Sequence, residues 1–151
     1  MCLRGRSSTS SFAGDAKRWH EKNEKKFHNW ITFANFAAVK RRILTYGGYF
    51  EAFISTLKEK EQEKIQYGLL LLKTQDRLPK KFIRLIRDGL YELRTEYGGN
   101  IFRVFFIFDE DKIVVLFNGF QKKSQKTPPS EIDKALKIKE AYYADKQSSN
   151  R

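Results

Sequence analysis

The sequence predicts an α+β domain: a small antiparallel sheet with two helices ahead of it and one behind, in the order β-α-α-β-β-β-α. Three observations carry this. Strand-like runs at Gly89–Tyr97, Ile101–Phe108 and Lys112–Phe120 are separated by Gly98-Gly99 and by Asp109-Glu110-Asp111. Apolar residues at helical spacing precede them, and Pro128-Pro129 closes them off before a last amphipathic stretch.

In chain order, Arg41–Tyr46 reads as a first strand, ended by Gly47-Gly48. Phe50, Phe53, Ile54 and Leu57 fall at i, i+3, i+4, i+7 and define a first helix. After a polar break near Lys58, Glu61–Lys73 forms a second, with Ile65, Leu69 and Leu72 on one stripe. Thr74–Lys81, with Pro79, reads as a loop. If Gly98-Gly99 is a two-residue turn, Tyr97 pairs with Asn100 and Arg94 lies directly opposite Arg103. Ser130 is the expected N-cap of the last helix, with Glu131 and Asp133 in its first turn and Ile132, Ala135, Leu136 and Tyr143 on its apolar side.

The chain has 151 residues, enough for one domain with a core of ordinary size. Lys and Arg number 30 against 18 Asp and Glu, a formal net charge of +12, which favours nucleic acid, an acidic partner or an anionic surface. Residues 1–38 hold 7 Lys+Arg and 3 Asp+Glu, leaving 23 and 15 in residues 39–151, so the main domain is itself basic. Aromatics at 15% argue for a packed core over a disordered basic tail. The single cysteine, Cys2, excludes an internal disulfide and a Cys-based zinc site. No apolar run approaches the roughly 18 residues of a membrane span, so a soluble, cytoplasmic protein is expected. Residues 1–38, with Ser7–Ser11 and a charged Lys17–Lys26 stretch, read as a poorly ordered or adventitious extension, and residues 39–151 as the functional domain.

Several enzyme templates are missing. From Val39 onward there is no histidine or cysteine, no metal-ligand spacing of carboxylates and no phosphate-binding glycine loop. Asp109, Glu110 and Asp111 are expected to be solvated turn residues. Basic side chains remain. Arg94 and Arg103 support two readings: a neutralised surface, with Glu92, Glu96 or another acid as partner, or an anion clamp aimed at phosphate. Lys122, Lys123 and Lys126 follow a strand end, where a basic run is commonly a solvated face; their convergence on the arginine strands favours function. Lys80 and Lys81 are candidates for a further basic rim, and Tyr91 and Tyr142 for stacking on bases. Any RNA cleavage here needs no cofactor: the 2′-hydroxyl attacks its own phosphate while Arg and Lys stabilise the developing charge.

The run Gly89-Leu90-Tyr91-Glu92-Leu93-Arg94, the strand Ile101-Phe102-Arg103-Val104 and the run Phe120-Gln121-Lys122-Lys123-Ser124-Gln125-Lys126-Thr127-Pro128 resemble the RelE/ParE superfamily, and most closely its HigB-like, phage-derived branch. The resemblance covers about residues 40–145. It implies a RelE-like fold and the toxin of a type II toxin–antitoxin system. Such a toxin is a ribosome-dependent mRNA interferase: a metal-independent endoribonuclease that cuts mRNA in the decoding site of the small ribosomal subunit, inhibits translation, and is held in check by a helix-turn-helix antitoxin. By position, Arg103 matches the arginine that binds the scissile phosphate, Lys122 and Lys123 the basic pair after the last strand, and Arg94 a basic residue of the neighbouring strand. These four are the expected catalytic residues; Lys126, Lys80, Lys81, Tyr91 and Tyr142 are the expected RNA-binding residues. Relatives begin near the first strand, which places Val39-Lys40-Arg41-Arg42 close to the expected start and assigns no role to His20 or His28. Two alternatives stand: a ParE-like gyrase poison, and a non-catalytic basic binding module. The sequence further predicts that Arg103→Ala abolishes toxicity without unfolding the domain.

Overall fold

The computed structural model describes residues 39–123 and 126–151; the reading of residues 1–38 as an extension lies outside them. The chain runs β1 (Arg42–Thr45), α1 (Tyr49–Ser55), α2 (Glu59–Thr74), β2 (Ile83–Arg87), β3 (Leu90–Tyr97), β4 (Asn100–Asp109), β5 (Ile113–Lys122) and α3 (Pro129–Ser149). The class is α+β, as the sequence predicts, with two departures. The sheet has five strands in the order β1-β5-β4-β3-β2, and it is mixed, because β1 pairs parallel to β5. The remaining neighbours are antiparallel.

The unexpected strand is β2. Arg87 pairs with Leu90, so Asp88 and Gly89, both at positive φ (52° and 73°), form a two-residue hairpin turn. The next hairpin matches the expectation. Gly98 and Gly99 take φ of 58° and 79°, Tyr97 pairs with Asn100, and Arg94 stands opposite Arg103.

Helices cover both faces. In α2, the expected stripe of Ile65, Leu69 and Leu72 is buried. The Glu61 carboxylate accepts the Lys58 N–H at 2.9 Å, satisfying an orphan donor at the helix start. Gln62 donates to the carbonyls of Ile54 and Leu57, both at 2.9 Å, and ties α1 to α2. Gly68 lets α2 approach β3 closely: a Cβ there would sit 3.1 Å from Thr95 Cγ2. Arg41 closes the other end of α2, donating to the carbonyls of Leu72, Gln75 and Asp76 at 2.6–2.8 Å. On the opposite face, α3 lays Ala135 and Ile138 against Leu90, Phe105, Ile107, Val115 and Phe117. It starts at Pro129 with Pro128 as N-cap, two residues ahead of the expected Ser130 cap; proline's fixed φ suits the first helical position.

Asp109 departs from the solvated turn residue expected of it. It ends β4 with 5% exposure and accepts hydrogen bonds from Tyr142 Oη (2.6 Å) and Lys146 Nζ (2.8 Å), anchoring the second half of α3. Burial pushes its carboxyl up, but the two donors outweigh that and hold it below the usual value. Among the described residues, no helix is long and apolar enough to cross a membrane.

Candidate functional site

Strand alternation and one bulge build the site. On β3, Leu90, Glu92, Arg94 and Glu96 share the face covered by α3; on β4, Ile101, Arg103, Phe105 and Ile107 do. On β5, Ile113, Val115 and Phe117 face the same way. Between Val104 and Phe106 the register with β5 slips: Phe106 opposes Leu116, yet Val104 opposes Gly119. Phe117 and Asn118 therefore share one partner position, and the side-chain parity of β5 inverts. Past the bulge, Phe120 opposes Arg103 and Lys122 opposes Ile101. Without this extra residue Lys122 would point to the α1–α2 face; with it, Lys122 joins Arg94 and Arg103. The bulge is held from α3, where Glu131 accepts the Asn118 amide at 3.0 Å.

At the centre lies an acid. Glu92 is fully buried (0%) and Arg103 nearly so (2%). Arg103 Nη1 donates to Glu92 Oε1 and to Thr127 Oγ1 (2.8 Å), and the Thr127 hydroxyl donates to Glu92 Oε2 (3.0 Å). Arg94 Nε lies 3.8 Å from Glu92 Oε1, and Arg84 of β2 stands opposite Glu92 in the ladder. Two arginines facing each other across a ladder repel; the shared carboxylate offsets that repulsion. Arg103 Nε, also buried, has no hydrogen-bond partner. Lys122 is half-buried at the edge of this group. Desolvation and then the Arg103 and Arg94 guanidiniums push its ammonium below the usual lysine value, and Glu92 opposes them.

The other expected residues divide. Lys123 is exposed immediately after β5, and Lys126 is exposed one residue before Thr127. Lys80 and Lys81 are exposed in the turn before β2. That turn abuts the site, since the Arg94 N–H donates to Phe82 O at 2.7 Å, and Lys81 Nζ lies 4.9 Å over the Phe82 ring. The two tyrosines are not brought there. Tyr91 is on the opposite face, stacked on Phe106 and edge-on to Phe108 at 5.6 and 4.9 Å. Tyr142 packs against Tyr46 and Phe117, with its hydroxyl on Asp109. Asp109 is six residues beyond Arg103 on β4, about 20 Å away at the usual strand rise. Both rings serve packing.

The sequence reading left three participants without a role. Glu92 appears there only as one acid that could neutralise the arginines at the surface, Thr127 only as part of a motif, and Arg84 in no assigned strand. For Glu92 the signal was present: it sits two residues from Arg94, on the same face by alternation. Among the described residues, no three of His, Cys, Asp and Glu group as metal ligands would.

The sequence profile of one family, phage-derived protein Gp49-like (DUF891), matches residues 52–140. The match runs from α1 into α3 and includes Arg94, Arg103 and the Lys122–Thr127 segment, while Tyr142 falls beyond it. No curated protein matches the chain. With more than half of its length matched, and with five strands and three helices consistent with a small RelE-like α+β fold, the chain belongs to the Gp49-like phage-derived family, a family of RelE-like proteins associated with the toxins of toxin–antitoxin pairs and so with an antitoxin partner.

Proposed function

We propose that this protein is the toxin of a type II pair of the HigB-like branch and a metal-independent endoribonuclease that cuts mRNA on the ribosome. The carrying observation is the row Arg94–Arg103 across β3 and β4, with Lys122 turned onto the same face by the β5 bulge. Three cations on rigid strands suit a phosphate whose charge grows during reaction. In this reading the RNA 2′-hydroxyl gives its proton to solvent water as its oxygen attacks the adjacent phosphorus, and the P–O5′ bond breaks, leaving a 2′,3′-cyclic phosphate and a 5′-hydroxyl. Arg94 and Lys123, both accessible, contact the phosphate; Arg103, held by Glu92, supplies fixed positive charge from beneath. Lys122, whose ammonium gives up its proton more readily than a free lysine, protonates the departing 5′-oxygen. Lys126, Lys80 and Lys81 extend the basic surface along the RNA.

The burial of Arg103 and its pairing with Glu92 favour a second reading, a basic binder without catalysis. A ribosome programmed with a defined mRNA separates the two. On the first reading, the protein yields a cut within the decoding-site codon bearing a 2′,3′-cyclic phosphate, and Lys122→Met removes the cut while ribosome binding persists. Binding without cleavage by folded wild-type protein would establish the second. Gyrase-dependent DNA breakage with intact mRNA would overturn both.

A further inference from the structure

The segment between Lys122 and Pro129 carries the lysines of the site, and its two ends are fixed to the same face of the sheet. At one end Lys122 is held in the ladder opposite Ile101. At the other, Thr127 Oγ1 accepts from Arg103 Nη1 at 2.8 Å and donates to Glu92 Oε2 at 3.0 Å. The two Glu92 oxygens are thereby divided, one to the guanidinium and one to the hydroxyl, and the three side chains close a ring. Such a ring needs a group that donates and accepts at once, which a threonine hydroxyl does and a methyl cannot. Glu92 is fully buried, so an oxygen left without Thr127 would have no water to turn to.

We propose that Thr127 is a positioning residue: its hydroxyl, locked between Glu92 and Arg103, fixes the neighbouring Lys126 at the face that carries Arg94 and Arg103. The catalytic consequence rests on the proposed RNA cleavage; the positional one does not. Thr127→Val keeps the side-chain volume and removes both hydrogen bonds, whereas Thr127→Ser keeps the hydroxyl.

The test measures two things on the full chain. Backbone NMR relaxation of wild type should give an order parameter near those of the strands, about 0.85, at Lys126, falling below about 0.6 in T127V and recovering in T127S. Programmed-ribosome cleavage should fall in kcat by about a hundredfold in T127V, the scale of an ångström-level misplacement, with KM changed far less and T127S restoring the rate. Low order at Lys126 in the wild type itself would overturn the proposal without any variant, as would equal order in wild type and T127V. If wild type cuts nothing on the ribosome, the endoribonuclease reading fails, and the relaxation data alone decide the role of Thr127.

Discussion

Replacing Glu92 by glutamine leaves the Arg103 guanidinium with 2% exposure and no carboxylate. A buried ion pair adds little net stability over an apolar pair of similar volume, yet removing one partner costs about 3–5 kcal/mol, because the survivor's desolvation is no longer offset. Arg103 is a strong instance, since its Nε already lacks a partner. At about 4 °C per kcal/mol for a domain of this size, E92Q should melt roughly 12–20 °C below wild type. The double variant E92Q/R103M removes the stranded charge and should recover most of that loss. Urea unfolding followed by circular dichroism, at fixed pH and salt, gives all three stabilities from one linear extrapolation. An E92Q stability within about 0.5 kcal/mol of wild type, the range of an ordinary surface substitution, would refute the reasoning. The same argument revises an expectation drawn from sequence: Arg103→Ala strands Glu92 in turn, so it should destabilise the domain as well as its function. Exposed Lys123 and half-buried Lys122 are the cleaner probes of chemistry.

Further outcomes follow from other contacts. A Cβ at Gly119 would overlap the Phe53 ring of α1, so Gly119→Ala should cost about 1–3 kcal/mol by urea unfolding, and pairing it with Phe53→Leu should return part of the loss. Asp109→Asn should cost about 1.5–3 kcal/mol at pH 7, since two hydrogen bonds to a buried carboxylate weaken. The Asp109 carboxyl is held below its ordinary value of 3.8, so its contribution is complete above that pH and lost as pH falls through the depressed folded value; wild type and D109N should converge in acid melts. Tyr142 is pushed up to about 12, by burial first and then by its bond to Asp109. The stability tied to this raised value is present below pH 10 and lost as pH rises toward about 12; Tyr46 and Tyr143 are also raised, so absorbance titration should show one fewer late-forming tyrosinate in Tyr142→Phe than in wild type.

What could be read from the chain follows from what each signal encodes. Glycine pairs and alternation carry register, and they place Arg94 against Arg103 from the sequence alone. Alternation also placed Tyr91 away from that row, three residues before Arg94 and hence on the other face, so its reading as a base-stacking residue went against the strand period. Asp88-Gly89 signalled a hairpin as strongly as Gly98-Gly99, but the short run before it, Ile83–Arg87, lies half exposed at a sheet edge and lacks clean alternation. Strand direction leaves no trace in periodicity, which is why the parallel β1 was not foreseen. The bulge at Phe117 and Asn118 depends on contacts with α3 that sit far along the chain, and it decides which way Lys122 points. The place of Arg103 on β4 was legible from alternation and the glycine turn, but its burial beneath Thr127 is a tertiary fact.

Cleavage of mRNA on programmed ribosomes tests the central claim most directly, comparing full-length wild type with Lys122→Met and Lys123→Ala, each shown to melt with wild type. The account predicts one cut in the decoding-site codon, a 2′,3′-cyclic phosphate on the upstream fragment, persistence in chelator, and loss of the cut in both variants. Intact mRNA with folded wild-type protein bound, or equal cutting by all three proteins, would contradict it.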